Sequence, residues 1–396
     1  MRDYEYYRAL FANIPKPFAF LDLDLLDENI RDILSRRNGK KIRVASKSIR
    51  CVDVLKRILS SDPDAFSGVM AFTAEEALYL SQHGIREILI GYPVWNRALI
   101  EEIAKTGQDG GSITLMVDSV EHLRHLSDVG QQANAVLSVC LDVDMSTSFP
   151  GLHFGVHRSP LANLEQARPV IDAALELPFV RLDGLMGYEA QIAGVGDAYP
   201  SQALKNQVVR QLKHRSIKPI LNRRREVVSY LLKRQPDVRF INGGGTGSID
   251  TTTAEDVVTE VTVGSGFYAP GLFDNYHSFR YRPAIGYAIE VVRKPRSDIV
   301  TCAGGGYVAS GAAGTDKLPK PYLPQGLKLL ANEGAGEVQT PLRVPAGMEL
   351  SLGDPVFMRH SKAGELCERF NRLYCVQNGS VIGTMSTYRG DGQCFL

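Results

Sequence analysis

The chain has 396 residues, 44% of them hydrophobic and 22% charged, with a formal net charge of +1. That is the composition of an ordinary globular protein, and the charge balance gives no general attraction to nucleic acid or anionic membrane. No apolar run reaches membrane-spanning length, the start Met1-Arg-Asp-Tyr-Glu5 has no leader pattern, and the six cysteines lie scattered without a CxxC pair, so a cytoplasmic protein with reduced thiols is expected.

The length suits one large domain plus a second. Residues 18–24 form a half-alternating apolar run, and Arg43-Val-Ala-Ser-Lys47 is a short strand signal that ends on a lysine. Ile49, Val52, Leu55, Ile58 and Leu59 then recur at helical spacing, so Lys47 sits where a strand hands over to a helix. In an α/β barrel that position faces the active-site mouth. Such an amine attacks carbonyls when burial or nearby cations lower its pKa, and Arg43 and Arg50 are the cations at hand. The same position also suits a solvated loop lysine.

Further strand signals follow at 64–70, 87–91, 113–117, 136–144, 180–187, 238–243 and 258–264, with helical patterns between them. Thr73 and Glu76 form a capping-box signature at the start of one such helix. With the Lys47 strand the tally is eight, which predicts a (β/α)8 TIM-type barrel. The segment 205–234 carries ten Lys or Arg against Glu226 alone and reads as an exterior barrel helix with a solvated basic face. From about Ala284 the pattern turns to short β-type runs at 288–293, 298–302, 355–360, 372–376 and 381–385, separated by Gly, Pro and Asp. The expected organisation is an N-terminal segment, 1–24, that pairs with the β domain; a barrel, 25–283; and a C-terminal all-β domain, 284–396.

Two small-residue turns end the last barrel strands. Asn242-Gly-Gly-Gly-Thr-Gly-Ser248 lets backbone N–H groups converge and adds the hydroxyls of Thr246 and Ser248, while Gly264-Ser-Gly-Phe-Tyr268 ends the next strand. Loops after strands 7 and 8 are where barrels most often hold phosphate. A tight turn that merely needs positive φ would use the same glycines. A lysine on the first strand and a phosphate cradle on the last two together suit pyridoxal 5'-phosphate, which needs an amine for its aldehyde and an anion site for its tail.

Leu21-Asp22, the strand ending on Lys47, Leu141-Asp-Val-Asp144 with His153 and Gly155-Val156, Gly184-Leu-Met-Gly-Tyr188-Glu189, and Gly243-Gly-Gly-Thr-Gly247 carry a specific resemblance. The chain resembles the fold-type III pyridoxal-phosphate enzymes of the alanine-racemase-like group, in the branch of D-threonine aldolases and D-serine dehydratases. The resemblance implies that Lys47 bonds the cofactor, that Gly244, Gly245, Thr246, Ser265, Gly266 and Tyr268 hold its phosphate, and that Tyr188 and His153 lie beside it. It also implies a homodimer with active sites near the subunit interface. The branch uses a divalent metal (manganese, magnesium or zinc) near the substrate hydroxyl, bound by a histidine and a ligand two residues on; here His360 is followed at that spacing by Lys362. His360 with Glu365 or Cys367 is therefore the metal candidate, with an ammonium in place of the metal as the alternative. The Asp316, Lys317, Lys320 and Tyr322 stretch reads as a polar loop. The function implied is a lyase for a β-hydroxy D-amino acid, with His360 acting on the hydroxyl by aldol cleavage or by dehydration. The alternatives are an amino-acid racemase and a non-catalytic pyridoxal-phosphate-binding protein.

Overall fold

The computed structural model describes residues 2–106, 112–200, 202–312 and 314–396. They form two compact units, one of Ile33–Lys47, Leu55–Gly264 and Phe395–Leu396, the other of Met1–Asp32, Ser48–Val54 and Ser265–Cys394.

In chain order the strands begin with β1 (Phe18–Asp22), which belongs to the second unit. The first unit contains β2 (Lys41–Ala45), β3 (Phe66–Ala71), β4 (Glu87–Pro93), β5 (Ser112–Val117) and β6 (Leu137–Asp142), a hairpin of β7 (Thr147–Phe149) and β8 (Leu152–Phe154), and then β9 (Val180–Gly187), β10 (Phe240–Gly243) and β11 (Glu260–Val263). All but the hairpin close a parallel barrel in the order β2-β3-β4-β5-β6-β9-β10-β11. The predicted (β/α)8 barrel is therefore what the chain forms. Leu89, Met116, Cys140, Met186 and Phe240, each from a different strand, pack into one buried cluster with Met70 against it. Beside this apolar layer Arg43 forks onto Glu260 at 2.7 and 3.0 Å and lies over the Phe240 ring, and Asn242 donates to the same carboxylate at 2.8 Å. Burial works against the Glu260 charge, yet Arg43 and these hydrogen bonds hold its carboxyl below the usual range.

Thr73 caps the helix Ala74–Gln82 by accepting from Glu76 N at 3.1 Å, and the Glu76 carboxylate accepts from Phe72 N at 2.7 Å. The basic segment is a single helix, Ala203–Arg234. Most of its charges face solvent, but Lys213 and Arg224 are buried, which a uniform solvated face does not predict. No helix of the described residues is long and apolar enough to cross a membrane.

The second unit contains β1 and the later strands β12 (Ile285–Arg296), β13 (Ile299–Ala303), β14 (Lys320–Leu323), β15 (Lys328–Leu329), β16 (Gln339–Arg343), β17 (Pro355–Arg359), β18 (Arg372–Gln377) and β19 (Ser380–Ser386). They form one sheet in the order β15-β16-β13-β12-β1-β18-β19, with β17 paired to β12 and β14 to β17. β1 runs antiparallel to β12 and parallel to β18. The stretch expected as a polar loop contributes β14, because Lys320 and Pro321 find ladder partners in Arg359 and Met358. An N-terminal helix, Tyr4–Leu10, capped by Asp3, lays Tyr7 and Phe11 onto Phe18, Phe20 and Phe357. Within this unit, whose last segment is Ser265–Cys394, Asn29 donates to the carbonyls of Phe267 and Arg282 at 2.9 and 2.7 Å.

Candidate active site

Parallel strands bring the residues that follow them to one rim of the barrel. Lys47 lies in the 3-10 turn Ser46–Ser48 just after β2, Tyr188 follows β9, and Gly244 follows β10. The cations expected to tune Lys47 are both compensated: Arg43 by Glu260, and Arg50 by Glu368 at 2.7 Å. A guanidinium held by its own carboxylate adds little net positive field, so neither serves the role expected of it.

The glycine turn is held from beneath by a side chain that local spacing does not reveal. Glu189, 2% exposed, accepts from Gly244 N at 3.2 Å, from Ser248 Oγ at 3.0 Å and from the Thr252 hydroxyl. Arg224, wholly buried, donates to Glu189 at 2.7 Å, to the Gly187 carbonyl at 2.9 Å and to Glu255. Gly245 N donates to Ser248 Oγ at 3.1 Å. The amides of Gly244 and Gly245 are thus committed to Glu189 and Ser248. Gly244 has φ +76°, and a Cβ on Gly245 would lie 2.8 Å from Ala193 Cβ and 3.2 Å from the Tyr188 ring.

Tyr188 is half-buried and its phenol is pushed up to about 12 by desolvation and by Glu189. Arg158 lies over the rings of Tyr92 and Tyr188, with its Cζ 4.9 and 5.9 Å from their centroids. It donates to Asp142 at 2.6 Å and to the Gly91 carbonyl. Burial raises the Asp142 carboxyl to about 6 against the pull of Arg158, and its Oδ1 has no partner. His153, the expected neighbour of Tyr188, is exposed on β8 and stacks on His157 at 4.1 Å. Arg158, five residues on, is the member of that loop that reaches Tyr188.

Ser265 and Gly266 begin the one-turn helix Ser265–Tyr268, and Ser265 Oγ lies 3.4 Å from Ser48 Oγ. Tyr268 does not present its hydroxyl at the start of that turn. Three positions along a helical turn points the side chain inward, where it is fully buried and donates to the Ile49 carbonyl at 3.2 Å. Cys367 Sγ donates to the same carbonyl at 3.3 Å.

His360 is buried; its Nε2 lies 2.6 Å from the Ala363 carbonyl, and among the described residues its Nδ1 has no partner. Desolvation lowers the ring to about 4, so it stays neutral near pH 7. Glu365 accepts from Ser310 N at 3.1 Å, and Lys362 Nζ donates to Ser310 O and Oγ at 3.2 Å. Among the described residues no three His, Cys, Asp or Glu side chains are grouped as metal ligands. His360, Glu365 and Cys367 each serve a different partner, and a protonated Lys362 is no ligand, so this donor set does not fit a divalent metal.

Rim residues that join an amine, a phenol under a guanidinium, and a glycine turn define a barrel protein of the racemase-like class. The chain belongs to the family described as alanine racemase, N-terminal domain, which matches residues 21–269. It is 24% identical over 268 residues to a 3-hydroxy-D-aspartate aldolase of Paracoccus denitrificans (strain Pd 1222), a match covering 67% of this chain and 63% of that protein. The chain thus matches less than two thirds of that relative's length. Its fold is similar to that of D-threonine aldolase from Filomicrobium marinum, with a TM-score of 0.78, 18% identity and 96% of each chain covered. It is also similar to that of D-threo-3-hydroxyaspartate dehydratase from Delftia sp. HT23, with a TM-score of 0.70, 18% identity, and 96% and 98% of the two chains covered.

Proposed function

We propose that this protein is a pyridoxal-phosphate-dependent lyase acting on β-hydroxy D-amino acids. The supporting observation is the furnishing of the barrel rim: Lys47 after β2, Tyr188 under Arg158 after β9, and the glycine turn after β10, in a family whose relatives include an aldolase of this substrate class. These residues fit the cofactor. One amine suits its aldehyde, and a sterically defined glycine turn carrying the Thr246 hydroxyl suits its phosphate.

Pyridoxal phosphate supplies an electron sink for chemistry at the substrate Cα. In this reading Lys47 is the amine that would hold the cofactor's aldehyde. Thr246, Ser265 and Gly266 hold the phosphate, with Gly244 and Gly245 shaping its bed. Arg158 and Tyr188 flank the ring. His360 acts on the β-hydroxyl: with its hydrogen on Nε2 toward Ala363 O, Nδ1 keeps its lone pair to accept a proton. Loss of that proton would allow Cα–Cβ cleavage to glycine and an aldehyde; loss of the Cα proton instead, with the β-hydroxyl leaving as water and the resulting imine hydrolysed by water, would give a 2-oxo acid and ammonia. No step uses a metal. A homodimer is the assembly this reading expects.

The test is absorbance and product analysis of wild type and Lys47→Ala with D-threonine, D-serine and 3-hydroxy-D-aspartate, each with manganese or with a chelator. The expected result is a cofactor band near the visible edge that Lys47→Ala lacks, with aldehyde or ammonia formed by the wild type in the chelator. No band in reconstituted wild type overturns the reading. A band with inversion of the amino acid and no cleavage product replaces the lyase with a racemase.

A further inference from the structure

The second unit contains a cleft of about 440 Å³ that none of the roles above uses. Three of its eleven lining residues are arginines, Arg369, Arg372 and Arg389, and none is acidic. Elsewhere in this unit arginines meet carboxylates, as Arg2 does Asp22, Arg50 Glu368, and Arg359 Asp274. Among the described residues, neither Arg372 nor Arg389 has such a partner, and Arg369 has only the face of Tyr307, at 5.9 Å. Three like charges on one concave wall repel each other, and a bound anion relieves that repulsion while receiving paired N–H donors.

The wall is fixed by its backbone. Arg372 opens β18, and Arg389 lies in the turn after β19. Thr387 N donates to the Asn371 carbonyl at 3.1 Å, and Thr387 Oγ1 donates to the Phe370 carbonyl at 2.5 Å. Gly390 approaches the Asn371 carbonyl so closely that a Cβ there would lie 1.9 Å from the oxygen. These contacts lock the Arg389 turn onto the residues between Arg369 and Arg372. Tyr307, Phe370 and Tyr374 add a mostly apolar floor, with Tyr374 set edge-on to Phe18. The volume is that of a small-metabolite site and not of a bare ion's.

We propose that this cleft binds a small polyvalent anion, a phosphorylated or multiply carboxylated metabolite, independently of the barrel site. The test is titration calorimetry on cofactor-loaded protein, in which the barrel's phosphate bed is filled, using pyrophosphate and citrate as probes in low salt. Wild type is compared with Arg372→Gln, Arg389→Gln and, as a control for net charge, Arg293→Gln, an exposed arginine outside the cleft. The expected result is one saturable site that weakens at least about tenfold in each cleft variant and holds in Arg293→Gln. Tighter binding of pyrophosphate assigns a phosphorylated ligand, and tighter binding of citrate a carboxylated one. Unchanged affinity in the cleft variants, an equal loss in Arg293→Gln, or no saturation overturns the proposal.

Discussion

Arg224 and Glu189 meet at 2.7 Å with no access to water, one from the middle of the long basic helix and the other just after β9. The pair ties the outside of the barrel to its glycine turn, because the same carboxylate accepts from Gly244 N and Ser248 Oγ. Breaking one side of a buried ion pair strands the other charge. Glu189→Gln is expected to cost about 3 kcal/mol in urea unfolding and to loosen cofactor retention on dialysis. An unchanged unfolding midpoint would show that Glu255 alone satisfies Arg224.

Arg158 holds Asp142 and covers Tyr188. Arg158→Lys keeps the charge but loses the fork that reaches both Asp142 and the Gly91 carbonyl, so turnover is expected to fall about tenfold or more. His153→Ala, on the exposed hairpin, is expected to change turnover less than twofold. Steady-state kinetics of the two variants, side by side, distinguish their roles.

Gly244 and Gly39 both have φ +76°, but only Gly244 is crowded, since a Cβ there would lie 2.6 Å from Val261 Cγ1. Gly39→Ala is expected to cost about 1 kcal/mol, the backbone penalty alone. Gly244→Ala is expected to cost about 2 kcal/mol more, from overpacking. Thermal melts of the two variants give the difference directly.

His360 and Asp142 tilt stability with pH in opposite directions. The neutral His360 ring, lowered to about 4 by burial, binds fewer protons folded than unfolded between pH 4 and 6.5. Its stabilising contribution is full above pH 6.5 and is lost as the pH falls toward 4, by about 3 kcal/mol. Asp142, raised to about 6, binds more protons folded than unfolded, so its contribution declines as the pH rises from 4 to 6. Urea midpoints across this range should show a weaker acid loss in His360→Gln than in wild type and a steeper one in Asp142→Asn.

The barrel and the β domain were legible in the sequence because their strands repeat short apolar runs at regular intervals, and the pairing of β1 with later strands followed from an incomplete tally. The placement of rim residues was legible only where a residue type and a strand end coincide, as at Lys47. Glu189 and Arg224 escaped because nothing in local spacing says that a residue near 189 reaches under residues 244–252, and a count of charges on a basic helix does not reveal which one faces inward. Tyr268 misled for a related reason: it sits in a small-residue turn, but one helical turn rotates its hydroxyl into the core. Arg158 lies two residues past the motif, ending at Val156, that carries the family resemblance, and only the structure shows that it, and not His153, lies over the Tyr188 ring.

Among the described residues, β1 is the sole link in the sheet between β12 and the β18–β19 pair. During synthesis on the ribosome this strand emerges before both of its neighbours, which arrive more than 260 residues later. Its apolar face must wait through the making of the entire barrel, with a loop-closure cost that favours late, concerted assembly. The sheet of the second unit is thus completed by a strand that precedes the barrel in sequence, and a variant lacking residues 18–22 has no β1 to join β12 to β18.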